Sequence, residues 1–434
     1  MDKMADVLGR AGAWCGQNKY LSAIKNAFQN FMPLTIAGAI GVLWCNVLVN
    51  ETTGLGMFFK PIMALDFLNP AFQAVNFCTI SCITVGITLG IAQEIGVWNM
   101  GAERAGYIPG LVGLAAWLSV TNTSHMVDGA KEAFTGVAGN ELGATGLFTG
   151  MIIGVLSVEL FCFFEKQDAL KLKCQNKFQP GVARAFEVLV PATITLIITA
   201  CIGSACYNLT GLYLNDVIKN GIQGPLGAVG ATVPGVMIIY LVIMLFWLVG
   251  IHGNNMLSAV KEALFTPLAL ENVEKFNKGE KPTNIINMYA LQMWGEFGGS
   301  GVTIGLVIAI MIFGKREDNK AIATLSLVPG LFNINETVTF GIPMVLNPIL
   351  GIPFVVAPLV TIIIGYVLTV IGFCPVACLT VPWTTPPIVF GFLATGANVM
   401  GAVTQAILIV VSTVIYTPFL IAYEKYQNKQ AAEA

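Results

Sequence analysis

Between Lys320 and Glu424 the only Asp, Glu, Lys, Arg or His is Glu336, in the segment Asn333-Ile334-Asn335-Glu336-Thr337. A carboxylate set in so long an apolar stretch is costly unless it is paired or faces water, so a lone Glu among amides implies a polar cavity. The competing reading is a loop-end Glu that reaches the lipid headgroups. His252 is the second anchor, in Trp247-Leu248-Val249-Gly250-Ile251-His252-Gly253-Asn254-Asn255, where an apolar run breaks at two glycines. Imidazole both donates to and accepts from hydroxyls, and Asn254 and Asn255 add mixed donors and acceptors; the alternative is a histidine that caps a helix. A third acid, Glu296, precedes the cluster Gly298-Gly299-Ser300-Gly301, which reads either as a turn with exposed amides or as tight backbone packing. Trp247, Trp294 and Trp383 offer flat apolar faces for the C–H side of a sugar ring, or else belong to an interfacial belt. Carboxylate, amide, imidazole and indole together suit a neutral polyhydroxylated ligand.

Other chemistries are absent. The glycines after Glu296 are not followed by the Lys of a P-loop, and no GxGxxG opens a helix after a strand. The ten cysteines, including Cys78/Cys82 and Cys374/Cys378, lie in apolar surroundings without CxxC spacing and read as small buried hydrophobes. No metal and no cofactor is expected. Basic residues form no stripe with interleaved aromatics, so nucleic acid is set aside. The apolar segments before Gly250 hold almost no interior ionisable residue of the kind that relays protons or cations.

The elements that must position these residues are membrane-spanning. Of 434 residues 56% are hydrophobic and only 11% charged, more apolar side chain than a water-facing surface can hide. Mean hydropathy is +0.76. Since a span needs about 20 mostly apolar residues, the chain holds roughly ten spans or partial spans. Residues 19–30 carry Tyr20, Leu21, Ile24, Ala27 and Phe28 at helical spacing opposite Lys19, Ser22, Lys25 and Gln29, an amphipathic interfacial helix leading into the membrane. Spans are expected at 31–49, 71–92, 105–120, 143–164, 188–207 and 233–250. Residues 1–17 have no continuous apolar run of the signal-peptide kind. Arg104, Glu94 and Glu159 lie near span ends, as headgroup or ion-pair partners.

Lys166, Lys171, Lys173, Lys177 and Arg184 crowd one connection, whereas Asp128, Lys131 and Glu132 give the 121–140 loop little bias. By the positive-inside rule the first loop is cytoplasmic, and Lys3, Arg10, Lys19, Lys25, Lys425 and Lys429 place both termini on that face. A second apolar half begins after the 208–227 connection, giving domains 1–220 and 221–434. In the second, prolines such as Pro329, Pro343, Pro348, Pro375, Pro382 and Pro386 break the segments. Broken segments suggest re-entrant hairpins, tolerated where they are buried in protein or line a cavity. Residues 257–289, rich in Lys and Glu, read as a solvated loop or surface helix.

The Gly250-Ile251-His252-Gly253-Asn254 turn, the Gly295-to-Gly301 stretch, Asn333-Ile334-Asn335-Glu336 and the amphipathic helix running into Phe31-Met32-Pro33-Leu34 together resemble enzyme IIC of the bacterial phosphoenolpyruvate-dependent phosphotransferase system. The branch is that for lactose, cellobiose and N,N'-diacetylchitobiose, and the match covers nearly the whole chain. The resemblance implies an all-α integral membrane protein of about ten transmembrane helices with two re-entrant hairpins. It implies a homodimer in the bacterial cytoplasmic membrane, with the N-terminal half as interface and the C-terminal half holding a disaccharide. The sugar is taken inward and phosphorylated at a primary hydroxyl by the phosphocysteine of a separate enzyme IIB, itself served by IIA. Glu336 then binds or deprotonates that hydroxyl and His252 bonds the same sugar, with Trp247, Asn254, Glu296, Gly299, Asn333, Asn335 and Trp383 lining the site. No charged α/β region for a IIB domain is visible. The alternatives are an ion-coupled secondary transporter of a neutral solute and a structural membrane protein with a polar groove.

Overall fold

The computed structural model describes residues 17–51, 55–125, 134–172, 180–342, 344 and 347–433, with Arg10 and Trp14. Lys3, Asp128, Lys131, Glu132, Lys173, Lys177 and Pro343, together with most of residues 1–17, lie outside the described residues. The chain divides into two compact units, one formed by Gln17–Gly38 with Ala74–Gly227 and the other by Ala39–Gln73 with Ala228–Ala434.

The first unit is built of regular helices. The amphipathic stretch 19–30 is the first half of α1 (Lys19–Leu43), which continues without a break into the apolar half rather than stopping at an interface. Helices α2 (Ile83–Met100), α3 (Ile108–Val120) and α4 (Ala144–Glu165) pack against one another, and α5 (Pro180–Thr210) packs on α3 and α4. Lipid tails are as apolar as these side chains, so helices associate by close packing where small residues let backbones approach. A Cβ added to Gly113 would lie 2.3 Å from Ala92 Cβ, and one on Gly150 would lie 2.2 Å from Thr88 Oγ1. The charges at helix ends are paired: Arg104 and Arg184 meet the buried Glu165 carboxylate at 2.8 and 2.9 Å, and Lys19 meets Glu159 at 2.6 Å. A two-residue antiparallel ladder, β1 (Ser124–His125) on β2 (Phe134–Thr135), closes one loop.

The second unit is built of interrupted helices. Thr232 caps α6 (Val233–Leu248) by accepting from Gly235 N–H at 3.2 Å. After a break come the single turn α7 (Gly253–Met256) and α8 (Ser258–Asn277). Helix α9 (Met288–Gly295) and α10 (Ile304–Phe313) form a pair bent by 60° at residues 296–303. Helix α11 (Glu317–Leu331) stops before α12 (Glu336–Gly341), and α13 (Gly351–Val370), α14 (Val389–Ala394) and α15 (Val399–Glu433) follow. Among the described residues 5 helices are long and apolar enough to cross a membrane, 7 spans if each bent pair counts as one, and α3 and α6 are shorter apolar helices. This is the all-α membrane architecture with re-entrant-type breaks that the sequence leads one to expect.

Residues 257–289 depart from expectation. They form a helix, α8, whose Ala259, Lys261, Phe265, Ala269, Leu270 and Val273 are buried, followed by the buried segment 286–289; only residues 277–281 and Thr283 are exposed. The apolar positions 265, 269 and 273 recur every four residues, a helical stripe that the high charge content obscures.

Candidate functional site

Three breaks in the second unit converge. The first follows Trp247: Gly250 takes φ +81°, and Gly253 passes so close to Ile243 that a Cβ there would sit 2.0 Å from its carbonyl oxygen. Only glycine fits both demands. His252 caps α7, its Nδ1 accepting from Asn255 N–H at 3.3 Å, so among the described residues the ring has a hydrogen-bond partner at one nitrogen only. The Trp247 indole packs against this imidazole with ring centroids 4.4 Å apart and ring planes tilted by 47°, and is itself buried.

The second break is the glycine cluster after α9. Gly298, Gly299 and Gly301 take φ of +68°, +87° and +78°. A Cβ on Gly299 would lie 2.6 Å from Asn335 Cγ, so this turn presses directly on the third break. Asn333, in the third break, holds φ +62° and ties three backbones together. Its Oδ1 accepts from Gly298 N–H at 2.6 Å, and its Nδ2 donates to the carbonyls of Trp383 at 2.5 Å and Thr385 at 3.1 Å. Asn335, buried, donates to the Ser300 carbonyl at 2.7 Å. Positive φ in non-glycine residues recurs nearby at Val302 and Ile388, a concentration of backbone strain of the kind found at functional sites.

A charged network underlies these turns. Lys261 Nζ forms an ion pair with Glu296 and donates to Asn254 Oδ1 at 3.3 Å, while Asn254 Nδ2 donates to Ser300 Oγ at 2.9 Å. Tyr240 OH donates to Glu296 Oε1 at 2.7 Å. The chain Glu296–Lys261–Asn254–Ser300–Asn335 therefore joins the His252 turn to the Glu336 turn. Glu336 opens α12 with an exposed side chain that has no hydrogen bond or ion pair among the described residues. The charges whose fields reach the His252 ring are Glu336, Glu296 and Lys261.

Residues named from sequence fall into three groups. Trp247, His252, Asn254, Glu296, Gly299, Asn333 and Asn335 interlock through the contacts just given, and Glu336 adjoins Asn335 and acts on His252 through its field. Trp383 is 45% exposed and is tied in through its carbonyl alone. Trp294 lies apart: it is buried in the interior, where Gly365 leaves room for its indole, and it serves neither as a sugar platform nor as an interfacial residue. Tyr240, Lys261 and Ser300 were not legible as site residues. The signal for Lys261 was its place four residues before Phe265 on the buried stripe of α8, where a cation requires an acid, and Glu296 is that acid.

This chain matches the family model for the phosphotransferase system EIIC over residues 25–358. It belongs to that family. It is 32% identical to the oligo-beta-mannoside-specific EIIC component of Bacillus subtilis (strain 168), over 98% of this chain and 94% of that protein. It is 29% identical to the cellobiose-specific EIIC component of Lactococcus lactis subsp. lactis (strain IL1403), over 98% of each. The lactose-specific EIICB component of Staphylococcus aureus (strain COL) is 31% identical over 94% of this chain but only 69% of its own length. Among solved structures, the IIC component ChbC of the N,N'-diacetylchitobiose-specific phosphotransferase system superposes with a TM-score of 0.88 at 28% identity, covering 97% of each chain. The protein is thus a multi-pass membrane permease component of a sugar phosphotransferase system, which works with IIA and IIB partners.

Proposed function

We propose that this EIIC permease takes up a disaccharide of the diacetylchitobiose, cellobiose or lactose type and presents its primary hydroxyl on the cytoplasmic side to a phosphocysteine of enzyme IIB. The observation that carries the reading is Glu336: a carboxylate without a cationic partner among the described residues, next to three interlocked chain breaks and within electrostatic reach of a half-satisfied imidazole. A sugar hydroxyl bound there donates its hydrogen bond to the carboxylate and accepts from Nε2–H of His252, the nitrogen that carries the proton because Nδ1 accepts from Asn255 N–H. In the transfer step the hydroxyl oxygen attacks phosphorus and the S–P bond of phosphocysteine breaks. The hydroxyl proton passes to Glu336, which acts as general base. Trp247 holds the imidazole in place, the exposed Trp383 indole supplies a face for the ring C–H groups, and Asn254, Glu296, Gly299, Asn333 and Asn335 shape the pocket wall.

IIB acts as a separate chain in this reading, which rests on the likeness to relatives named as EIIC components, those for oligo-beta-mannoside and cellobiose. The chain works as a homodimer through its N-terminal domain, residues 1–220, while residues 221–434 hold sugar, and both termini are cytoplasmic; the Lys and Arg distribution supports that orientation. Uptake in proteoliposomes tests the function. Labelled disaccharide should accumulate as its phosphate only when phosphoenolpyruvate and the soluble partners are enclosed. Accumulation of unmodified sugar driven by an ion gradient would overturn the reading in favour of a secondary transporter.

A further inference from the structure

Helices α10 and α15 run side by side in the same direction: Gly305 faces Ser412 so closely that a Cβ on it would lie 2.2 Å from Ser412 Oγ, and further along both chains Lys315 N–H donates to Glu424 Oε2 at 2.9 Å. Between these two contacts the helices leave a groove of about 690 Å³. Ile308, Ile312 and Phe313 form one wall, and Val410, Val414 and Ile421 are prominent in the other. Ile312, Val410 and Val414 are each more than 60% exposed. The two threonines in the lining, Thr413 and Thr417, turn their hydroxyls back onto the carbonyls of Ile409 and Thr413, so they offer no unmet donor to water. Residues 409–421 span about 18 Å of helix, close to one leaflet of a hydrocarbon core roughly 30 Å thick.

One end of this groove is cationic. Lys425 continues the stripe 410, 414, 417, 421 one turn further, and Lys315 lies two residues beyond Phe313. The carboxylates around them are engaged elsewhere. Glu424 accepts from the N–H groups of Lys315 and Arg316 and from Asn319, Asp318 pairs with Arg316 at 2.6 Å, and Glu317 pairs with Lys320 at 3.2 Å. The ammonium groups of Lys315 and Lys425 have no partner among the described residues, and both residues are exposed.

We propose that this groove is a binding site for an anionic phospholipid, with an acyl chain lying between α10 and α15 and the phosphate at the Lys315/Lys425 end. A zwitterionic lipid fills the apolar part equally well, so charge is what makes the site selective; juxtamembrane lysines attract anionic headgroups for this reason. Native mass spectrometry of the full-length protein released from nanodiscs containing equal amounts of phosphatidylglycerol and phosphatidylcholine with matched chains reads this directly. Retained phosphatidylglycerol should exceed phosphatidylcholine at least fivefold, and the Lys315→Gln/Lys425→Gln variant should lower that ratio to near one. Equal retention of the two lipids by the unaltered protein means ordinary annular lipid and overturns the proposal. A second measurement needs no variant: a photoactivatable phosphatidylglycerol should crosslink within residues 308–313 or 409–421. Labelling confined to other helices, or capture of these residues by a second copy of the chain in place of lipid, equally rejects the site.

Discussion

The two units solve the same problem, a long apolar chain in a bilayer, in opposite ways. In the first, α2, α3 and α4 are regular, their small residues let backbones touch, and every positive φ among the described residues belongs to glycine. In the second, helices stop and restart within a few residues, and Val302, Asn333, Ile388 and Ala397 hold left-handed backbone. An interrupted helix exposes unpaired N–H and C=O groups, which the hydrocarbon cannot satisfy. The second unit meets that cost with amides: Asn333 and Asn335 bond the Gly298 and Ser300 backbone, and Gln405 accepts from the N–H groups of Ile388 and Gly391. The lesson is that regularity provides the scaffold, while polar side chains are spent where the chain must open toward a ligand.

The largest expected effect lies at the group that the broken unit leaves unsatisfied. Glu336→Gln should reduce phosphorylation-coupled uptake by a factor on the order of 100 or more, the scale of a lost general base. Its melting temperature should stay within about a degree of the parent, because an exposed, unpaired carboxylate holds nothing together. His252→Ala should weaken sugar binding in detergent strongly while the protein still folds. Near-normal uptake in the Glu336 variant would remove it from the site.

Next in size is a contrast between two ion pairs. Lys261–Glu296 is nearly closed off from solvent, with 7% and 18% of the side chains exposed, whereas Lys19–Glu159 in the first unit has 25% and 31% exposed. Removing one partner of a buried pair strands a charge and costs about 3–5 kcal/mol, while a partly exposed pair is worth about 0–1 kcal/mol. Lys261→Met should therefore destabilise far more than Lys19→Met, and adding Glu296→Gln to the first should recover much of the loss. Thermal unfolding of the three variants decides it; equal losses for the two lysine changes would show that burial does not govern these pairs.

How much of this was legible in the sequence follows the same division. Spans such as Ala144–Glu165 read directly from length and hydropathy, because a regular helix satisfies its own backbone and needs only apolar side chains. The breaks also read well: Glu336 by its isolation, His252 by its flanking glycines. What did not read was the pairing across distance. Lys261 looked like part of a solvated charged loop because its acid lies 35 residues on, and Asn333 gave no sign that it would bridge to the carbonyls of Trp383 and Thr385, about 50 residues away. Trp294 has the composition of a sugar platform and the position of a core residue, a distinction set by Gly365 on another helix. Local pattern shows where a helix fails, whereas the partners that make the failure tolerable are tertiary.

The smallest effect inverts sign between the units. Ile388 holds φ +75°, where a β-branched side chain is strained by about 1–3 kcal/mol, and its side chain is 44% exposed, so little burial is lost on truncation. Its N–H bond to Gln405 at 2.8 Å belongs to the backbone and survives any substitution other than proline. Ile197, in the interior of α5 and 57% exposed, is the matching position on a regular helix. There glycine gives up helix propensity and costs about 0.5 kcal/mol or more. Ile388→Gly should thus leave the melting temperature unchanged or raise it slightly, and Ile197→Gly should lower it. The same chemical change then reports backbone strain in one unit and backbone order in the other. If both variants fall by the same amount, the left-handed backbone at Ile388 carries no strain, and the contrast between the units rests on the buried polar bonds alone.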